Sequence, residues 1–315
     1  MDGQRRFELA AAGLEIDSRR LLELNSRGSV QTELAALVFE EIEASTRLAG
    51  SALRKRELHA LIEQGRALGD HRYDDYVLAA GYADAAGYVA AQAPLTERKI
   101  RPYLRIEEIV DVHLRATRGV SDLTARRWRR RTLPAFPNGV VPPPPWQVPG
   151  EIRAFVDRVA VGPPGQTPPI LWVASALERF TRLQPFDGAN GRVGRLVINL
   201  LLRRLGLPPF IVPANGAAYR DALQRADADG PWTLAAVIAK SVGDGMARLR
   251  GAVEDEQPLQ SLRAIAPAAE LTALYKAAQR GRLRTLRRGG ELLTTQAWLR
   301  AYRASRSHAG RKARI

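Results

Sequence analysis

From Gly191 to Leu205 the chain reads "GRVGRLVINLLLRRL", an apolar run edged by arginines and stopped by Gly206 and Pro208. A helix this apolar must be enclosed by other elements, and a glycine and then a proline just past its end close it. The stretch therefore predicts a buried helix around which the rest of the chain packs. The residues before it, "QPFDGAN", form a glycine-containing loop that runs straight into the helix start. There the free N–H groups of the first turn and the positive end of the helix dipole face whatever lies in front of them, which makes loop and helix an anion-binding arrangement. The loop supplies Asn190, Arg192 and Arg195 but no histidine, lysine, cysteine or serine, so it can hold a phosphate without an evident group to attack one.

Apolar residues at helical spacing predict helices over Leu21–Gly50, Leu53–Ala67 and Asp75–Gln92, so the first third is helical. Further helices are expected over Ile106–Arg118, Ile152–Val161, Ile170–Leu183, Tyr219–Ala228 and Trp232–Arg250, with a linker at Glu254–Pro258. Between the first and second of these, "RRWRRRTLPAFPNGVVPPPPWQVPGEI" changes texture. Pro142–Pro145 forbid helix and favour extended chain, and the residues before them are expected to form a short strand pair across Pro137–Gly139. "GPPGQT" at Gly162–Thr167 has the glycines of a P-loop but lacks the lysine that reaches terminal phosphates, and reads as an ordinary loop.

The chain has no cysteine and four histidines, which removes disulfides, thiolate catalysis and thiolate zinc sites. Its longest apolar runs, such as Leu34–Phe39, fall far short of the ~20 residues of a bilayer span, and the charged start "MDGQRRFELAAAGLEIDSRR" lacks a signal core. The expectation is a cytoplasmic protein with no membrane partner. The net charge of +15 is unevenly spread: from Leu271 to Ile315 twelve cations face Glu291 alone. A segment of that balance points to a polyanion partner.

Taken together, "ALERFTRLQPFDGANGRVGRLVINLLLRRLGLPPFIV" at Ala176–Val212 resembles the Fic (Fido) family, whose signature runs His-Pro-Phe-x-Asp/Glu-Gly-Asn-Gly-Arg-x-Gly-Arg. The resemblance covers roughly Glu23–Met246. It implies an all-α fold, the Fic helical bundle, with Trp128–Val141 as a short β-hairpin flap over the site. It also implies roles. Asn190 and Gly191, with Gly188 and Ala189 beside them, would surround the α- and β-phosphates of ATP or a related nucleotide. Arg192 and Arg195, three apart on one helical face, would bind the outer phosphates, and Phe186 would anchor the loop. Family enzymes transfer AMP from ATP to a Ser, Thr or Tyr hydroxyl of a target protein, here unidentified.

The departures from the signature bear on that chemistry. Gln184 stands where the family has its general-base histidine, and an amide takes up no proton near neutral pH, so the ~10²–10⁴-fold supplied by a base should be lost. The magnesium-binding carboxylate falls on Gly188, which has no side-chain oxygen. Ala189 replaces the next glycine, and Glu178 replaces a helix residue that is usually histidine. Magnesium binding should therefore be weakened, with Asp187, one position early, the carboxylate that would reach a metal if the loop shifted register. "STRLAG", Ser45–Gly50, matches the family's inhibitory Ser/Thr-x-x-x-Glu-Gly/Asn pattern except that Ala49 replaces the glutamate, which should leave Arg195 free.

The C-terminal stretch "AAELTALYKAAQRGRLRTLRRGGELLTTQAWLRAYRASR" reads as helix, turn, helix, a hairpin turning at Gly289–Gly290, and a last helix. It resembles winged helix-turn-helix domains. That resemblance implies duplex DNA as a partner, with Lys276, Arg280 and Arg282 on or after a recognition helix spanning Tyr275–Arg282, and Arg284, Arg287 and Arg288 on the wing. The expected organisation is residues 1–100 as an N-terminal helical region with the degenerate inhibitory motif, 101–253 as the Fic core and 259–315 as the winged module. Three functions fit: a nucleotide-binding, catalytically impaired adenylyltransferase with a DNA-binding module; an active transferase with an altered mechanism; and a DNA-binding regulator with a vestigial core.

Overall fold

A computed structural model describes residues 3–11, 28–92, 102–120, 127–254, 259–288, 291–296 and 298–303. Ten helices precede the C-terminal module among these residues: α1 Gly3–Ala11, α2 Gly28–Leu48, α3 Lys55–Gln64, α4 Tyr73–Gln92, α5 Ile106–Ala116, α6 Val148–Ala160, α7 Pro169–Leu183, α8 Asn190–Arg204, α9 Ala217–Asp229 and α10 Trp232–Glu254. The apolar run read from the sequence is α8, and it is central, touching α2, α4, α5 and α7. Val193, Leu196, Val197, Ile198, Leu200, Leu201 and Leu202 are all buried, each worth about 1.5–3 kcal/mol relative to exposure. The second signature glycine of this helix has a packing reason. A Cβ at Gly194 would lie 3.1 Å from Phe180 Cδ1 and 3.3 Å from Leu177 Cδ1, so α7 approaches α8 closely only because no side chain stands there.

The far end of α8 is fixed by charge. Arg204 donates through both terminal nitrogens to the carboxylate of Glu108 on α5, and to the Tyr103 carbonyl at 2.7 Å. Both side chains of that ion pair are almost wholly buried. Residues from α1 to α10 share one apolar core, with Phe7 of α1 set against Trp232 of α10 at 5.9 Å between ring centres.

The Trp128–Val141 segment is extended and turns, but forms no ladder. Phe136 N donates to the Val140 carbonyl at 2.8 Å and Gly139 N to that of Phe136 at 2.8 Å, and no strand is assigned over residues 127–147. Pro134, Pro137 and Pro142–Pro145 have no N–H to give, so one hydrogen-bonded turn replaces the hairpin's ladder.

Past α10 come β1 Gln260–Ser261, α11 Leu262–Ile265, α12 Ala268–Gln279, β2 Leu286–Arg288 and β3 Glu291–Thr294. The strands form an antiparallel sheet in the order β1-β3-β2, with Gln260 opposite Thr294 and Leu286 opposite Leu293. Leu262, Leu274, Ala277, Leu283 and Leu299 make an apolar cluster of their own. Among the described residues an ion pair ties this module to the bundle: Arg284 bonds the buried Glu33 of α2, whose other oxygen takes Arg248 Nε at 2.6 Å. Arg284, expected on the wing toward phosphate, is thus engaged by the bundle. The Gly289–Gly290 turn, most of the expected linker (255–258), the start of the first expected helix (21–27) and the tail with Arg306, Arg311, Lys312 and Arg314 lie outside the described residues, as does the side chain of Arg288. No described helix is long and apolar enough to cross a membrane.

Candidate functional site

The loop from Gln184 to Ala189 is held by side chains, each with a specific carbonyl or N–H. Gln184 ends α7 in the left-handed region (φ 45°), and its Nε2 donates to the Thr181 carbonyl at 2.8 Å. The amide at the family's base position is thus turned back to cap its own helix. Phe186 is buried and stacks face to face on His113 of α5, with centroids 3.8 Å apart and planes 7° off parallel. His113 is itself buried. Loss of solvent pushes its pKa down to about 4 against the favourable pull of the Gly188 backbone, which keeps the ring neutral at pH 7.

Asn190 closes the loop rather than lining it. Its Oδ1 accepts from Phe186 N at 2.9 Å and its Nδ2 donates to the Phe186 carbonyl at 2.8 Å, which occupies the side chain expected at the phosphates. What Asn190 contributes to an anion is its backbone. The first bond of the α8 ladder is Val193 N to Ala189 O at 2.9 Å, so the N–H groups of Asn190, Gly191 and Arg192 emerge at the helix start. Ala189, where the family has glycine, sits at φ 63°.

The two signature arginines diverge. Arg192 Nη1 donates to the Ala116 carbonyl at the end of α5, at 3.0 Å. Arg195 is not free: its Nε donates to Ser45 Oγ at 2.8 Å and its Nη2 to the Ser45 carbonyl at 3.2 Å, at the C-terminal end of α2. Replacing the inhibitory glutamate with Ala49 therefore leaves the helix on the arginine through another residue, Ser45. Ala49 itself is exposed, and Gly50 follows with φ 98°. The physical reason is general. A helix C-terminus carries partial negative charge, and a guanidinium suits it. Arg195 keeps Nη1 beside the first turn of α8, where a Cβ on Gly191 would lie 3.5 Å from it.

Behind Arg195 lies a buried polar cluster that the sequence reading missed. Glu41 Oε1 accepts from Tyr82 Oη at 2.6 Å and Ser45 Oγ at 2.9 Å. Burial raises the Glu41 pKa to about 7, against the lowering effects of Tyr82, Ser45 and Arg195. Burial also opposes the charge on Arg195, but Tyr82, Tyr219 and Glu41 outweigh it and leave Arg195 above the usual arginine range. The i, i+4 spacing of Glu41 and Ser45 was the available signal.

A second missed residue is Arg129, buried within "RRWRRR". Its backbone N donates to the Pro185 carbonyl at 2.8 Å, its Nε to that of Gln184 at 2.7 Å, and its Nη groups to Arg131 and Pro143, which joins the flap to the loop. Next to it, Arg131 reaches Asp187, with Nε 3.3 Å from Oδ1 and Nη2 3.1 Å from the backbone oxygen. Glu178 pairs with Arg182 on α7.

The sequence model of the Fic/DOC family matches residues 103–202, which hold α5, the flap, the loop and most of α8. The chain carries a Fic domain. It is 26% identical over 174 residues to the protein adenylyltransferase Fic of Nematostella vectensis, covering 55% of this chain and 39% of that protein. It is 25% identical over 209 residues to that of Drosophila willistoni, covering 63% and 41%. The chain thus spans about two fifths of the length of these relatives. In fold it is similar to a Fic domain-containing signaling protein from Bacteroides thetaiotaomicron, with a TM-score of 0.66 at 18% identity over 79% of this chain and 98% of that one. A Fic family protein from Desulfovibrio desulfuricans aligns over 91% of this chain and 96% of its own, with a TM-score of 0.54 at 18% identity.

Proposed function

We propose that this Fic-domain protein binds ATP or a related nucleotide at the start of α8 and is impaired in adenylyl transfer. The observation that carries this reading is the state of Gln184. A transferring enzyme of this kind needs a proton acceptor where a target hydroxyl meets the α-phosphate, and here an amide that accepts no proton is bonded to Thr181. The anion-binding half of the arrangement is retained: three backbone N–H groups at a helix start, Arg192 at its side and Arg195 Nη1 beneath it. The hold of Ser45 on Arg195 makes outer-phosphate binding a competition with α2.

We further propose that residues 259–303 form a DNA-binding module. The support is a stripe of exposed residues along one side of α12, Ala269, Thr272, Ala273 and Lys276, continued by Arg280 at its C-terminal end and beside the exposed Arg282 and Arg287. Tyr275 faces elsewhere, taking a hydrogen bond from Arg263 at 3.3 Å.

The test is purified protein with labelled ATP, magnesium and a lysate, beside the Gln184→His, Gly188→Asp double variant, with calorimetry on both. The expected result is nucleotide heat without label transfer by the natural sequence. Robust self-modification or target labelling by the unaltered chain sinks the impaired-enzyme reading, and no nucleotide heat sinks the binding reading.

A further inference from the structure

Fic relatives imply a divalent cation beside the phosphates, and the donors present here do not fit one. The position that should carry the metal carboxylate is Gly188. The neighbouring carboxylate, Asp187, is turned toward the flap, where Arg131 takes both its Oδ1 and its backbone oxygen. Among the described residues no three His, Cys, Asp or Glu side chains converge as a metal site. Magnesium asks for near-octahedral oxygen ligands and parts with water reluctantly. A lone carboxylate already facing a guanidinium meets that demand poorly.

We infer that Arg131, seated on Asp187 at the mouth of the loop, supplies the counter-charge that a metal gives elsewhere, so that a nucleotide's phosphates bind here without a divalent cation. Three observations converge on it. Arg131 grips the loop at Asp187, the residue just before Gly188, so its charge lies against the loop that leads into α8. Its side chain is 70% exposed and bonds Asp187 through Nε and Nη2, which leaves Nη1 available to an incoming anion. Its orientation is set from below, because its own carbonyl accepts from the buried Arg129 at 2.9 Å and Arg129 is bonded to Gln184 O. A guanidinium is planar, always charged and able to bind phosphate through two donors at once. No proton or electron moves in this step; it is binding alone.

The inference rests on the nucleotide reading above, and the experiment separates the two. ATP binding to the full chain is measured by calorimetry in magnesium buffer and again with excess EDTA, for the natural sequence, Arg131→Ala and Arg131→Lys. The natural sequence is expected to bind equally in the two buffers. Arg131→Ala should bind about tenfold or more weakly in EDTA, the loss of one charge-assisted contact. Arg131→Lys should recover part of that loss, since it keeps the charge and loses the fork. The exposure of Arg131 makes all three folded, which circular dichroism checks. Binding that falls about tenfold or more on chelation, or an Arg131→Ala variant that binds as tightly as the parent, overturns the inference and leaves nucleotide binding standing. No binding in either buffer overturns the nucleotide reading and the inference with it.

Discussion

The arginines of the bundle and those of the C-terminal module use the same charge in opposite ways. In the bundle, Arg129, Arg192, Arg195 and Arg204 turn inward and donate to carbonyls of Gln184, Ala116, Ser45 and Tyr103, far away in the sequence. In the module, Arg280, Arg282 and Arg287 are exposed, and Arg284 and Arg303 pair with carboxylates of Glu33 and Glu270. Five donors on a rigid fork let one buried guanidinium gather several carbonyls, and the negative ends of α2 and α5 favour it. A net charge of +15 is therefore not a patch of +15. Only the outward part can contact the phosphates of a polyanion directly.

The contrast can be broken most directly at Arg204. Arg204→Ala leaves Glu108 buried without its partner, and urea denaturation should register a loss of about 3–5 kcal/mol. Arg280→Ala in the same assay should change stability by no more than about 0.5 kcal/mol, while flattening the log–log salt dependence of duplex DNA binding by about 0.9. Equal destabilisation by the two changes would erase the distinction between inward and outward arginines.

Glu41 sharpens the comparison, since it is the buried carboxyl that stands behind an inward arginine. Burial lifts its folded pKa to about 7 from the ordinary 4.5. The folded state then binds the proton more tightly than the unfolded one, so this group's contribution is fully present below about pH 4.5 and fades as pH rises toward 7. The change amounts to roughly 3 kcal/mol over that window. Glu41→Gln should remove that slope from a series of denaturation curves between pH 4 and 8. An unchanged slope would mean that Glu41 is ionised in the folded protein.

A smaller effect than that of Glu41 is expected at Ala189. A left-handed alanine costs about 1–2 kcal/mol and glycine's extra chain entropy about 0.5–1 kcal/mol, so Ala189→Gly should stabilise by about 0.5–1 kcal/mol. Gln184→Gly should gain less by thermal denaturation, because it also gives up the Thr181 bond. A gain at position 184 equal to that at 189 would show that this hydrogen bond contributes nothing.

The helices and the loop were legible because their signals are local: apolar spacing along α8, Gly206 and Pro208 after it, and a contiguous run from Gln184 to Arg195. The partners of the loop's side chains were not. Arg195 meets Ser45 across 150 positions and Arg192 meets Ala116 across 76, and nothing in either neighbourhood announces the pairing. Reasoning from the missing glutamate at Ala49 freed Arg195 on paper, but the helix end offered its own carbonyl and a serine instead. The flap misled for a different reason. The turn expected at Pro137–Gly139 predicts a strand pair, whereas the prolines on both arms leave too few donors for a ladder. In the run "RRWRRR" composition alone could not tell buried Arg129 from exposed Arg131, since the choice is made by carbonyls of the loop.

Helix α2 carries Glu33, bonded to the module's Arg284, and Ser45, bonded to the site's Arg195. Roughly 18 Å of unbroken helix separates them. Neither contact can be re-aimed alone without breaking the ladder between, so a roll or slide of this strut moves both ends together. Module and α8 are therefore both anchored on a single rod of backbone hydrogen bonds.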